Sequence, residues 1–229
     1  MPGRLVFLSS LLFLFSGCSG NNGTAKLAFS NGTTRATLSA PTIFGMKLIA
    51  VYLTEDVDPI TQNNVGMTTM IYLNPLCQED IMHCDISGGT AEDGLPMDKI
   101  ITDFFDFAQT TEAVNAALNA QGRAVTPGTY KYARVEFCKY NAGNAENIKW
   151  GNGSTGEQSF KRNSCTVNSA VFNPPITIAG GETVTVTLSY VLDTSVQTGA
   201  DAVGDHCTGA GAGLTCFSVP QFTPSATRH

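Results

Sequence analysis

The sequence predicts an all-β fold, a single antiparallel β-sandwich with one short connecting helix. Three observations carry this. Apolar residues recur mostly with period two, as in residues 183–192 (TVTVTLSYVL), where Val184, Val186, Leu188, Tyr190 and Leu192 share one face and Thr183, Thr185, Thr187 and Ser189 the other. Turn formers such as Pro127-Gly128 and Gly180-Gly181 separate the runs. Only one stretch, after Thr110 and Thr111, has helical spacing.

The elements follow in order. Residues 43–53 (IFGMKLIAVYL) and 67–73 (MTTMIYL) are continuous apolar runs expected as central strands. Asp103 and Asp106, flanked by Phe104, Phe105 and Phe107, read as outward residues of a strand whose other side is core. Thr110 or Thr111 caps a helix over 112–120, with Val114 and Leu118 four apart and Gly122 as the residue that ends it. Pro127-Gly128 opens the strand TYKYARVEFCKY, with Ala133, Val135 and Phe137 facing the core and Tyr132, Arg134 and Glu136 facing away. ITIAGGE, residues 176–182, reads as a hairpin signal leading into the strand at 183.

The first 25 residues read as an address. Arg4 precedes an apolar stretch, residues 5–15, too short to span a bilayer, and Ser16 and Gly17 then precede Cys18. That order resembles a bacterial lipobox, in which the cysteine is lipidated and becomes the mature N-terminus; Phe15 departs from the usual Leu or β-branched residue. The expected organisation is a lipoprotein-type signal peptide over 1–17, a flexible tether over 18–25, a sandwich domain over 26–222 and a disordered tail over 223–229. Acyl chains on Cys18 would hold the chain to a membrane at about 0.8 kcal/mol per buried methylene.

Removing residues 1–17 takes Arg4 and leaves 12 basic residues against 19 acidic ones, a formal charge of −7. Such a chain has no electrostatic reason to seek nucleic acid. Beyond Cys18 an even number of cysteines remains: Cys77, Cys84, Cys138, Cys165, Cys207 and Cys216. In an exported chain they are expected as disulfides. Six cysteines allow about 15 connectivities, of which the sequence-local pairs Cys77–Cys84, Cys138–Cys165 and Cys207–Cys216 are favoured.

Little chemistry is visible. No G-x-S-x-G elbow, phosphate loop, dinucleotide fingerprint or C-x-x-C spacing occurs, so neither an enzyme nor a cofactor is expected. His83 and Asp85 flank Cys84, and Asp205 and His206 precede Cys207, a weak candidate set for a transition metal. Glu55, Asp56 and Asp58, and the acidic loop 85–98, lack the calcium-loop spacing and read as solvated. The strongest candidate contact surface is the loop 139–164, where Tyr140, Trp150 and Phe160 stand among Asn, Gly and Ser together with Lys149, Lys161 and Arg162. The competing expectation is that Trp150 tucks back to anchor its own hairpin.

FFDFAQTTEAVNAALNAQGRAVTPGTYKYARVEF, residues 104–137, followed by ITIAGGETVTVTLSY, residues 176–190, resembles a family of bacterial lipoproteins of unknown function with a transthyretin-like (prealbumin-like) sandwich. The resemblance covers residues 41–193 and leaves out the cysteine-bearing insertions and the C-terminal segment. It implies a transthyretin- or immunoglobulin-like fold and cell-envelope placement, with no catalytic residues to carry over. The expected function is a surface adhesion or interaction module of the outer membrane, lipid-anchored, with a protein or glycan partner. The alternatives are a subunit of an envelope assembly that recruits neighbours through an exposed edge strand, and a periplasmic metal-binding protein.

Overall fold

The computed structural model describes residues 21–33, 41–46, 48–75, 105–137, 148–151, 158–160, 166–193, 195–198, 200–201, 206–208, 211–213 and 215–229. In chain order the strands are β1 (Gly23–Asn31), β2 (Ile43–Met46), β3 (Leu48–Val57), β4 (Asn64–Leu73) and β5 (Phe105–Asp106). Helix α1 (Thr111–Leu118) follows. Then come β6 (Arg123–Val125), β7 (Gly128–Phe137), β8 (Ile148–Gly151), β9 (Gln158–Phe160), β10 (Thr166–Ile178) and β11 (Thr183–Tyr190). The chain ends in β12 (Val196–Thr198), β13 (His206–Thr208), β14 (Thr215–Phe217) and β15 (Phe222–Arg228).

The all-β expectation is met, with one short helix among the described residues. Two four-stranded sheets form the sandwich, ordered β15-β11-β1-β6 and β10-β7-β3-β4. A third four-stranded sheet of shorter strands, β5-β2-β8-β9, and a three-stranded sheet, β12-β14-β13, extend it. Alternation explains the core. Ala25, Leu27 and Phe29 of β1 and Val184, Val186, Leu188 and Tyr190 of β11 are buried, and so are Val51 and Leu53 of β3 and Ala133, Val135 and Phe137 of β7. Phe107 joins the layers, edge-on to Phe29 at 5.4 Å and to Tyr190 at 5.3 Å. Such aromatic pairs contribute about 0.5–1.5 kcal/mol beyond the area they bury.

Several expectations are corrected. The run 43–53 is two strands in different sheets, β2 and β3. ITIAGGE is no hairpin: residues 179–182 carry the chain from β10 in one sheet to β11 in the other, so the glycine turn (Gly181, φ 76°) joins layers. The strand at 183 is antiparallel only toward β15; β1 lies parallel to it, from Thr24↔Thr183 to Asn31↔Tyr190. The helix ends earlier than expected, because Asn119 takes the left-handed conformation (φ 43°, ψ 39°) three residues before Gly122.

Both ends of the expected domain also shift. Residues 23–25, assigned to the tether, already belong to β1, where Thr24 N–H donates to Glu182 O at 2.7 Å. Gly23 is required there, since a Cβ would stand 2.6 Å from Ile178 Cγ2. Residues 223–228, expected as a disordered tail, pair with β11 as β15 over the register Val184↔Arg228 to Tyr190↔Phe222. The reason lies in Phe222, which is buried against Phe137 at 6.2 Å and Phe29 at 5.8 Å. Terminal His229 is held as well, N–H to Thr183 O at 3.0 Å.

Candidate interaction surface

The outer face of the β15-β11-β1 sheet is built by alternation. If the odd residues of β1 point into the core, the even ones point out. The register places Thr24 beside Thr183, Lys26 beside Thr185, Ala28 beside Thr187 and Ser30 beside Ser189. Across the other side of β11, Thr185 meets Thr227, Thr187 meets Ser225 and Ser189 meets Thr223. Three strands thus align Ser and Thr hydroxyls in ranks, about 4.8 Å apart between strands and about 7 Å along each strand. Thr183, Thr223, Ser225 and Thr227 are exposed, and the others are half-buried. Hydroxyls both donate and accept, so such a face meets a polyhydroxylated partner without regard to its charge.

One end of the face is locked. Glu182 accepts from Arg228 Nε at 2.5 Å and from Ala179 N–H at 2.8 Å, and Arg228 Nη2 donates to Thr177 O at 3.1 Å. The Ala179 amide, with the Arg228 guanidinium beside it, holds the Glu182 carboxyl below its ordinary value. This ties β15 to the crossover between the sheets.

Along the edge of β1, α1 takes the place of a strand. Thr110 caps it by accepting from Ala113 N–H at 3.3 Å, and Val114 and Leu118 bury its inner side. Asn115 then accepts from Phe29 N–H and donates to Phe29 O, both at 2.8 Å, and Thr111 Oγ1 accepts from Asn31 N–H at 3.0 Å. These side chains satisfy an edge that would otherwise recruit another chain. Beyond Asn115 the helix leaves a cleft of about 320 Å³ against the sheet, lined by Lys26, Leu27, Asn119, Ala120, Gln121 and Thr185 among others.

The opposite edges are blunted by proline. The bond from His229 N–H to Thr183 O sets the β11–β15 ladder so that Phe222, Pro224, Ala226 and Arg228 turn their backbone groups to the open side. Pro224 removes a donor from the middle of that row. On β10 the pairing with β7 breaks between Val171 and Ile176, around Pro174 and Pro175, which also lack an N–H.

The candidate site residues fall out as follows. Trp150, the leading contact residue, is 4 % exposed, lies in β8 opposite Phe44, and packs on Phe217 at 5.6 Å. Its indole is core, because β8 pairs with β2 and turns it inward. Phe160 lies in β9, opposite Ile148. Tyr140, Lys161 and Arg162 lie outside the described residues, as do Cys18, Cys77, Cys84, Cys138, Cys165, His83, Asp85 and Asp205. Cys207 and Cys216 are bonded, S–S 2.04 Å, across the antiparallel pair β13–β14. His206 sits in β13 opposite Phe217.

No group of three or more metal-ligating side chains occurs among the described residues. Glu55, Asp56 and Asp58 are spent on their own hairpin and on neighbouring β7. Glu55 accepts from Met67 N–H at 3.1 Å, Asp56 pairs with Lys131 at 3.3 Å, and Asp58 accepts from Ile60 and Thr61 N–H at 2.8 Å. Asp106 is likewise structural, accepting from Phe44 N–H at 2.9 Å, Ala108 N–H at 3.0 Å and Gln109 Nε2 at 2.7 Å.

Arg134 and Glu136 face away from the core as expected, yet they are 5 % and 6 % exposed. Arg134 Nη2 donates to Gln62 O at 2.6 Å, and Nη1 to Asn64 Oδ1, tying β7 to the β3–β4 hairpin. Burial, and then the Glu136 carboxylate, pushes the Tyr52 hydroxyl well above its ordinary value.

Sequence reasoning missed the hydroxyl face because it assigned β1 partly to a tether and β15 to a tail. The Thr alternation of residues 183–189 was the signal available. Set against family models, curated proteins and solved structures, the chain finds no match in any of the three.

Proposed function

We propose that the protein is a lipid-anchored sandwich of the bacterial cell envelope that acts as a surface interaction module, and that its contact surface is the hydroxyl-bearing face of β1, β11 and β15. One observation carries the choice of surface: nine Ser and Thr side chains from three adjacent strands, Thr24, Ser30, Thr183, Thr185, Thr187, Ser189, Thr223, Ser225 and Thr227, share one side of a sheet. The partner class this favours is glycan, whose hydroxyls exchange donors and acceptors with the array. Lys26 is the one cationic side chain within those ranks on β1.

The lipobox-like run ending at Cys18 supports the anchor, and the Cys207–Cys216 bond fits an oxidising compartment. A sandwich is also what the transthyretin-like resemblance implies about the fold. Recruitment of neighbours by strand addition gains no support at β1, β10 or β15, whose edges are covered by α1 or interrupted by proline. Protease treatment of intact cells, against a lysed control, tests the placement. Loss of the protein on intact cells is expected; full protection there with loss on lysis would contradict a surface role.

A further inference from the structure

Along one flank of the sandwich the edge strands of the two main sheets, β10 and β15, run side by side and leave a groove of about 300 Å³ between them. Its walls are apolar: Phe172, Pro174, Pro175 and Ile176 from β10, and Pro224 and Ala226 from β15. Pro174, Pro175 and Ala226 are exposed, while Ile176 and Pro224 are half-buried. The prolines count twice. Having no N–H, they remove donors from both walls, so a peptide strand or a sugar finds little to bond there. An alkyl chain needs no such partners and gains from leaving water. The volume lies at the small end of ligand sites, about 300–1,000 Å³.

The groove ends at the corner where the chain enters the fold. Thr177, Ile178 and Arg228 line it there. Asn21 and Asn22 lie against the same corner. Gly181 N–H donates to Asn22 O at 3.1 Å, and Gly180 packs so closely on Asn21 O that a Cβ has no room. Gly23, next in the chain, packs on Ile178. Cys18 stands three residues before Asn21, a span of at most about 10 Å. Resting on the lipid-anchor reading above, we infer that one acyl chain of the Cys18 anchor lies in the groove between β10 and β15. Covalent attachment makes its entry intramolecular, so a small groove suffices. Arg228 serves the polar end of that chain. Its guanidinium has five donors, of which Nε goes to Glu182 and one from Nη2 to Thr177 O. The others meet the ester or amide carbonyl through which the acyl chain is joined. One chain in the groove and another in the bilayer hold this corner at the membrane and the far end of β1, at Asn31, away from it.

The test is photocrosslinking in the native membrane. Cells making the full-length chain are fed a fatty acid with a diazirine near its methyl end and irradiated, and the purified protein is digested and read by mass spectrometry. The expected result is acyl mass on Cys18 and cross-links in peptides that carry residues 172–178 or 224–228. Ala226→Leu narrows the groove and Pro175→Asp puts a charge on its wall. Each lowers the cross-link at least about tenfold, with a melting temperature within a few degrees of wild type; should one fail to fold, the other decides. Acylated Cys18 whose cross-links reach only lipid would give every chain to the bilayer, overturning the groove assignment and keeping the anchor. Undiminished cross-linking in the folded variants, or cross-links centred on the outer face of β1 and β11, would also overturn it. A covalent dimer on a denaturing gel would place a neighbour's acyl chain in the groove and overturn the assignment to the chain's own anchor. Cys18 without acyl mass would remove the anchor reading and the inference with it.

Discussion

Asn115 takes both backbone groups of Phe29, so Asn115→Ala strands a buried donor and acceptor at once. The expected cost is about 2–4 kcal/mol, read from urea unfolding. Thr110→Ala, which removes only the cap of α1, should cost about 1 kcal/mol. Trp150→Ala should cost about 3–5 kcal/mol and leave glycan binding of the folded fraction unchanged, because the indole is core. A variant that keeps its melting temperature and loses binding would return Trp150 to the contact surface. Glu182 and Tyr72 set opposite pH limits. The Glu182 pKa is depressed in the fold, below 4.5, so its contribution is present above that pH and is lost as pH falls through the folded value. Burial raises the Tyr72 hydroxyl to about 12, so its contribution is present below pH 10 and is lost as pH rises toward 12. Thermal unfolding of Glu182→Gln should accordingly lose part of the acid-side fall in melting temperature.

At the scale of elements, local pattern was legible where a strand or helix announces itself by its own alternation. The buried positions of β11, the core-facing Ala133, Val135 and Phe137 of β7, and Val114 and Leu118 of α1 stand where period 2 and period 3.6 put them, while Arg134 and Glu136 are buried from the other side of β7. Partner choice was not legible. Nothing in TVTVTLSY distinguishes a parallel neighbour from an antiparallel one, and a Gly-Gly turn joins two strands of a hairpin or two layers equally well. β15 was missed because Thr223, Pro224, Ser225 and Ala226 lack an apolar run; Phe222 and the open side of β11 supply the reason to fold. Of the expected disulfides, Cys207–Cys216 closes a short loop with a sequence separation of 9. By the chain-entropy argument, Cys207→Ser with Cys216→Ser should cost about 2–3 kcal/mol in denaturant unfolding. Amide exchange in that double variant should quicken in β12–β14 more than in β7 or β11.

Across the molecule, the two sheets treat their outer faces differently. The β10-β7-β3-β4 sheet buries a charged pair, Arg134 and Glu136, on its outer side, while the β15-β11-β1-β6 sheet presents hydroxyls. Arg134→Ala should be destabilising by about 3–5 kcal/mol, since it leaves Glu136 buried without its neighbouring cation. A Thr→Lys change on the hydroxyl face should cost far less, because those positions meet solvent. Proline and α1 blunt edges on both flanks of that face, which favours a partner that lies across the strands over one that pairs with them. The direct measurement is co-sedimentation of the full-length chain with cellulose, chitin and peptidoglycan, comparing wild type with Thr187→Lys, whose long side chain stands between Ala28 and Ser225. The account predicts that wild type sediments with at least one polymer and that Thr187→Lys stays in solution with its melting temperature within a few degrees of wild type. Equal sedimentation of the two, or none by wild type, would contradict the assignment of this face.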